Sequence, residues 1–257
     1  MRIPQKLVSL YDRLYVGFKD YDAGKYIHEQ QEIFTYYGLD YDSAKKTVAD
    51  LYTENPVFDQ SMSSEHQVFF AALAHSGQVK NILEVGTFNG VNAAFLAKLF
   101  PQSRITTLDL PNDDSIFAAT YGRKNTATRQ AFIHKRDNLL QGFSNIEFVQ
   151  KNSLCLTFEN HDQYDLIWVD GAHGYPVITA DITNAIRLLD KDGYLLCDDI
   201  FFSLKSSDDM YCSTAGYETL SAFQHANLIT TDYIFKRLQK PFCLERFCKY
   251  IAVVRHS

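Results

Sequence analysis

From residue 81 onward, short apolar runs alternate with helical stretches, and this alternation constrains the fold more than any other feature of the chain. Asn81–Val85 is a five-residue run, largely apolar, that meets a glycine at residue 86, the pattern of a buried strand. Residues 91–100 have helical spacing and stop at Pro101. Further strands are expected at 104–110, 145–149, 164–170 and 194–199, with helices over 125–142, 176–190 and 216–227. Pro176 opens its helix, where a missing N–H costs nothing, and an Asp192-Gly193 turn leads into the fifth strand. Stretches 228–238 and 249–256 read as a closing pair of strands. Such alternation implies an α/β chain built on a parallel sheet covered by helices on both faces.

Ligands of such sheets sit at the carboxyl ends of the strands, so the residues just past each strand carry the functional information. Glu84, Gly86 and Gly90 follow the first strand, Asp109 the second, Asn152 and Ser153 the third, Asp170 and His173 the fourth, and Asp198 and Asp199 the fifth. A purely structural sheet has no need of acids at four of five strand ends. The glycines are spaced G-x-x-x-G, not the G-x-G-x-x-G that cradles a dinucleotide pyrophosphate, which argues against a nicotinamide-dependent dehydrogenase. An acid ahead of the first glycine repels a pyrophosphate but can hold a cationic amine. Asp109 is placed to accept hydrogen bonds from ribose hydroxyls. A cofactor with a ribose, an ammonium and no phosphate suits both acids, and S-adenosylmethionine (SAM) is such a molecule. Glycines in a strand-to-helix turn can also serve packing alone; Asp109 after a second strand favours SAM.

The residues then resemble a known family. LEVGTFNGVNAAFLA is similar to the first motif of class I SAM-dependent methyltransferases, and residues 63–90 resemble the catechol and caffeoyl-CoA type O-methyltransferases. WVDGAHGYPVITADITNAIRLLDKDGYLLCDD resembles their relatives acting on sugars and natural products, with a DGxH box before a helix and two acids ending a late strand. The likeness covers roughly residues 60–200. It implies a Rossmann-like, seven-stranded doubly wound sheet with a final antiparallel strand, and cofactor contacts from Glu84, Gly86, Thr87, Phe88, Gly90, Asp109, Asn152, Ser153 and Asp170. The family's usual acid on the adenine side is replaced here by Asn152.

Methyl transfer to an alcohol requires the hydroxyl to be aligned with the sulfonium methyl and relieved of its proton. A general base or a divalent cation can do the second. In the family, the positions of Asp170, Asp198 and Asp199 hold such an ion, so Mg²⁺ or Mn²⁺ is expected, although one of them is commonly Asn where this chain has Asp199. The DGxH box suggests His173, beside Asp170, as catalytic base. Each reading has a plain counterpart. Asp198-Asp199 can cap the next segment, His173 can be a packed loop histidine, and Phe88 and Tyr175 can pack or can face the sulfonium through cation–π attraction.

Two segments lie outside this pattern. Residues 111–144 form a long connection with five Lys or Arg against three Asp, an insertion near the acceptor site. Tyr121, Arg123 and Lys124 in it either meet a polar acceptor or belong to a solvated helix face. Residues 1–75 are expected to form a helical cap, or lid, on the catalytic domain of residues 76–257. Its first helix candidate, residues 7–18, places Leu7, Leu10, Tyr11, Leu14, Tyr15 and Phe18 on one face. Eight of the 16 tyrosines fall between Tyr11 and Tyr52, more than one small pocket can use, which favours core packing and homodimer contact.

Composition narrows the function classes. The 25 Lys and Arg against 31 Asp and Glu give a net charge of −6, a poor match for gripping nucleic-acid phosphates. That charge is unevenly spread, because residues 232–257 hold six Lys or Arg against two acids. No apolar stretch suits a signal peptide or a membrane span, and the five cysteines form no CxxC pair, consistent with thiols in a reducing cytoplasm. Cys243 and Cys248 lack a matching pair of zinc partners nearby. The expectation is an O-methyltransferase acting on a hydroxyl of a small molecule: a sugar, a phenol or a secondary-metabolite intermediate. The alternative is a SAM-binding protein of this fold with different chemistry or none.

Overall fold

The computed structural model describes residues 14–58, 63–158, 163–204, 210–240 and 248–257. Seven strands are found: β1 (Asn81–Val85), β2 (Arg104–Asp109), β3 (Ile146–Gln150), β4 (Tyr164–Val169), β5 (Leu189–Ile200), β6 (Ile229–Phe235) and β7 (Tyr250–His256). They form one sheet in the order β3-β2-β1-β4-β5-β7-β6. Strands β1 to β5 pair in parallel, and β7 runs antiparallel between β5 and β6. This is the Rossmann-like arrangement expected, with one reversed strand.

The central strands are continuous apolar runs because both faces are covered. Successive residues alternate between two cores. Ile82, Trp168 and Leu196 enter a cluster with Phe69, Phe70 and Phe95 on one face. Leu83, Ile167 and Leu195 enter another with Ile178 and Ile182 on the opposite face.

The N-terminal part is helical: α1 (Ala23–Tyr36), α2 (Tyr41–Glu54) and α3 (Glu65–Ser76). Asp22 and Asp40 cap the first two, accepting from the N–H groups of Lys25 and Ser43 at 3.1 and 3.0 Å. Of the helix anticipated over 7–18, residues 7–13 lie outside the described residues and 14–18 are helical. Several tyrosines of this part bury their rings and spend their hydroxyls on polar partners. Tyr37 packs edge-on against Phe69 and Tyr194 and donates to Asp232 Oδ2 at 2.6 Å. Tyr41 donates to Glu65 at 3.0 Å, and Tyr52 to Gln67 at 2.8 Å. These three serve packing.

The remaining helices are α4 (Val91–Leu99), α5 (Ser115–Ala119), α6 (Thr126–Leu140), α7 (Val177–Leu188) and α8 (Ala215–His225). Pro176 sits one residue ahead of α7, at its N-cap. The connection over 111–144 is largely helical, holding α5 and α6. Strand β5 begins earlier than its sequence suggests. Asp192-Gly193 lies within the extended segment, and the pairing with β4 shifts between Tyr164 and Leu166. Gly193 makes this possible, since a Cβ there would come within 3.0 Å of the Tyr164 and Asp165 carbonyl oxygens. Among the described residues, no helix is long and apolar enough to cross a membrane.

One backbone contact sets the distance between the first and fourth loops. Gly86 has φ +106°, and a Cβ on it would overlap the carbonyl oxygen of Asp170. Gly86→Ala is expected to cost about 3 kcal/mol through left-handed strain and overpacking. Denaturant unfolding measures this, and a loss below about 0.5 kcal/mol would show the loops free to part.

Candidate active site

The sheet topology brings the loops after β1, β2, β4 and β5 to one edge. Gly86 and Thr87 donate their N–H groups to the Leu108 carbonyl at 2.9 and 3.2 Å, and Asp170 N–H donates to the Val85 carbonyl at 2.9 Å. Phe88 holds a left-handed backbone, φ +48°, and donates its N–H to Asp109 Oδ2 at 2.8 Å. The other Asp109 oxygen accepts from Leu110 N–H at 2.7 Å. Burial raises the Asp109 carboxyl, against these bonds and the nearby Arg123 and Arg136. Gly90, φ +77°, caps α4 where a Cβ would press on Leu140.

Glu84 lies beneath this loop and is fully buried. It accepts from Asn92 Nδ2 at 2.8 Å and from Thr107 Oγ1 at 2.5 Å, and Thr107 also meets Thr87 Oγ1 at 2.6 Å. Glu84 therefore ties β1, β2 and α4 together from below. Burial pushes its carboxyl up to about 7, against the two hydrogen bonds.

The acids after β4 and β5 do come together. The pairing of β5 with β7 shifts between Cys197 and Ile200, and Asp199 has φ +50°. This bulge turns Asp198 and Asp199 toward the neighbouring strands, as bulges beside active sites do. Lys236, just past β6, places Nζ 2.5 Å from Asp198 Oδ2 and 2.6 Å from Asp199 Oδ1. Lys249, just before β7, donates to Asp199 Oδ2 at 2.6 Å. Burial works against ionisation of Asp198, yet Lys236, with His66 and His173, holds it below the usual carboxylate range. Burial and the adjacent Asp198 raise Asp170 well above that range.

The metal expectation for Asp170, Asp198 and Asp199 finds no support in this arrangement. Three of their six oxygens are engaged by ammonium groups, so the donor set does not fit Mg²⁺ or Mn²⁺, which need several carboxylate or water oxygens of their own. Among the described residues no group of three or more His, Cys, Asp and Glu side chains is arranged to hold a metal ion.

His173 has Nε2 3.6 Å from Asp170 Oδ1, while its Nδ1 is buried without a hydrogen-bond partner. Its N–H donates to the Met210 carbonyl at 2.8 Å, which fixes the loop. Burial lowers its pKa, so the ring is neutral near pH 7 and able to take a proton.

After β3, Asn152 Oδ1 accepts from Leu154 N–H at 3.0 Å, and Ser153 hydrogen-bonds the buried Asp181. Phe88, Tyr121 and Tyr211 form an exposed aromatic chain, with centroids 5.0 Å apart for the first pair and 5.9 Å for the second. Tyr175 is exposed at 77 % and stands free of these ring contacts. Arg123 is not on a solvated face. It is buried, its guanidinium 3.9 Å from the Phe117 ring centre, whereas Lys124 is exposed.

Sequence reasoning missed Lys236, Lys249, Asn92, Thr107 and His66. His66 stacks on Trp168 at 4.4 Å, and burial pushes it down to about 4. The one available signal was the basic excess of residues 232–257, which holds both lysines.

The edge just described carries a glycine turn over an acid, a carboxylate after β2 and a histidine beside further acids. Residues 83–200 match the family described as methyltransferase domain. A fatty-acid O-methyltransferase of Mycolicibacterium smegmatis is 31% identical over 120 residues, which is 47% of this chain and 37% of that protein. The chain thus aligns with well under half of that relative's length. Among solved structures, the O-methyltransferase TomG from Streptomyces achromogenes, involved in tomaymycin synthesis and bound to SAM, is 18% identical with a TM-score of 0.52, covering 89% of this chain and 99% of that one. An O-methyltransferase from Bacillus cereus in complex with SAH (S-adenosylhomocysteine) is 13% identical with a TM-score of 0.51, covering 92% and 100%. Residues 83–200 are thus similar to a methyltransferase domain, and the chain shares its fold with solved O-methyltransferases.

The buried Glu84 yields a pH prediction. Its folded pKa, about 7, exceeds its ordinary value of 4.5. The folded state therefore binds the proton more tightly, and the stability this provides is present below the unfolded value and lost as pH rises through about 7. The gap corresponds to about 3 kcal/mol. Glu84→Gln, which can keep both hydrogen bonds, should remove that much of the fall in unfolding free energy between about pH 4 and 8. An unchanged slope would show Glu84 ionised in the fold.

Proposed function

We propose that the protein transfers the methyl group of SAM to an oxygen of a small hydroxylated molecule, with His173 as the base that takes the hydroxyl proton. The observation that carries this reading is the His173 ring: neutral, held beside Asp170, with Nδ1 unpartnered. With Nε2–H on the Asp170 side, the free lone pair is on Nδ1. Asp170 orients the imidazole, and the charges of Asp198 and Asp199 favour its protonated form. Asp109 is the acceptor for ribose hydroxyls, and Gly86, Thr87, Phe88 and Gly90 shape the turn around the cofactor. Glu84 acts through the loop, since Asn92 and Thr107 engage its oxygens. No step is assigned to a divalent ion. The exposed Phe88, Tyr121 and Tyr211 rings beside the loop favour an acceptor with a flat or apolar body, such as a phenol, over a bare sugar.

A second reading follows from the fatty-acid O-methyltransferase likeness: a carboxylate acceptor. A carboxylate is already ionised near neutral pH and needs no base. Labelled SAM offered with phenolic and with fatty-acid acceptors separates the two. For a hydroxyl acceptor, His173→Ala should lower kcat by about 10²–10⁴-fold while SAH binding by calorimetry is retained. Full activity of that variant on phenols would sink the base, and turnover of fatty acids alone would favour the second reading. Asp109→Ala should weaken SAH binding by about tenfold or more, in keeping with loss of a charge-assisted hydrogen bond; unaltered binding would remove the ribose assignment.

A further inference from the structure

The family resemblance calls for a divalent ion where this chain places lysines. Lys236 is not a loose surface side chain. Its carbonyl accepts from Glu65 N–H at 3.0 Å and Ser64 Oγ at 3.1 Å, and its N–H donates to the Lys249 carbonyl at 2.9 Å. The preceding residue, Phe235, donates its N–H to Oε1 of the buried Gln30 at 3.0 Å. Helices α1 and α3 thus fix the backbone from which the ammonium is aimed. The side chains of Lys236, Asp198 and Asp199 are 17%, 4% and 11% exposed. Lys236 bridges two carboxylates, and Lys249 takes the second oxygen of Asp199. Together the two ammonium groups bring the same +2 charge as one divalent ion, but by N–H donation, which leaves no shared coordination centre.

We propose that Lys236, backed by Lys249, is the resident cation of the Asp170–Asp198–Asp199 cluster, holding these acids in place so that the cluster takes no divalent ion. Lys236 is a positioning residue: it sets the carboxylates against which Asp170 and His173 are placed. The inference rests on reading this cluster as part of the transfer site, but cation occupancy is measurable without turnover.

The experiment is a Mn²⁺ titration of the full-length protein with SAH present, followed by electron paramagnetic resonance. Wild type should show no stoichiometric Mn²⁺ site. Lys236→Ala should release Asp198 and Asp199 and gain a site at least about tenfold tighter than any wild-type binding. Adding Asp198→Asn should abolish that site, and Lys236→Arg, which keeps the charge, should not create one. One Mn²⁺ per wild-type chain, lost on Asp198→Asn, would overturn the proposal, as would a folded Lys236→Ala protein that gains no site. If Lys236→Ala fails to fold by circular dichroism, wild type and Lys236→Arg decide: no site in either supports the proposal, and an Asp198-dependent site in either overturns it. Failure of all forms to bind SAH would count against the methyltransferase reading and leave the cation result standing by itself.

Discussion

The close approach of Gly86 to the Asp170 carbonyl is the constraint on which the site depends. It brings the turn after β1 against the loop after β4 with no side chain between them. Everything chemical follows from that closeness. Phe88 N–H reaches Asp109, and His173, three residues past Asp170, has Nε2 3.6 Å from the Asp170 carboxyl. Glu84 locks the arrangement from beneath by joining three elements in a dry environment, where an acid raised by burial can hydrogen-bond without carrying charge.

Much of this was legible because the determinants are local. A strand buried on both faces must be apolar throughout, so 81–85 and 164–169 declare themselves, and the functional acids then follow as the polar residues where the runs stop. What was not legible depends on relations between distant residues. Lys236 and Lys249 lie some tens of residues beyond Asp198 and Asp199, in a stretch whose basic excess gives no hint of direction. Only the reversed pairing of β7 and the bulge at Asp199 make them neighbours. The early start of β5 was hidden similarly, because a turn-like Asp-Gly pair lies within the extended segment, where Gly193 lets the backbone press against β4.

The N-terminal helices take part in the same logic. Tyr37 packs on Tyr194 of β5 and bonds Asp232 of β6, Tyr26 packs on Phe235, and polar side chains of these helices finish hydrogen bonds at the end of β6. Gln30 meets Phe235, and Glu65 and Ser64 meet Lys236. The aromatic excess of this segment is thereby linked to the site indirectly, through the strand it steadies, rather than through contact with a reacting molecule.

The reversal of β7 has one more consequence. Because β6 ends and β7 begins at the ligand edge, the counter-charges of the acid cluster come from residues 236 and 249, whereas the methyltransferase match ends at residue 200. A unit trimmed to that boundary would be electrostatically unfinished, with Asp198 and Asp199 deprived of both ammonium partners. Electrical balance at the centre of this domain is supplied from outside its recognisable borders.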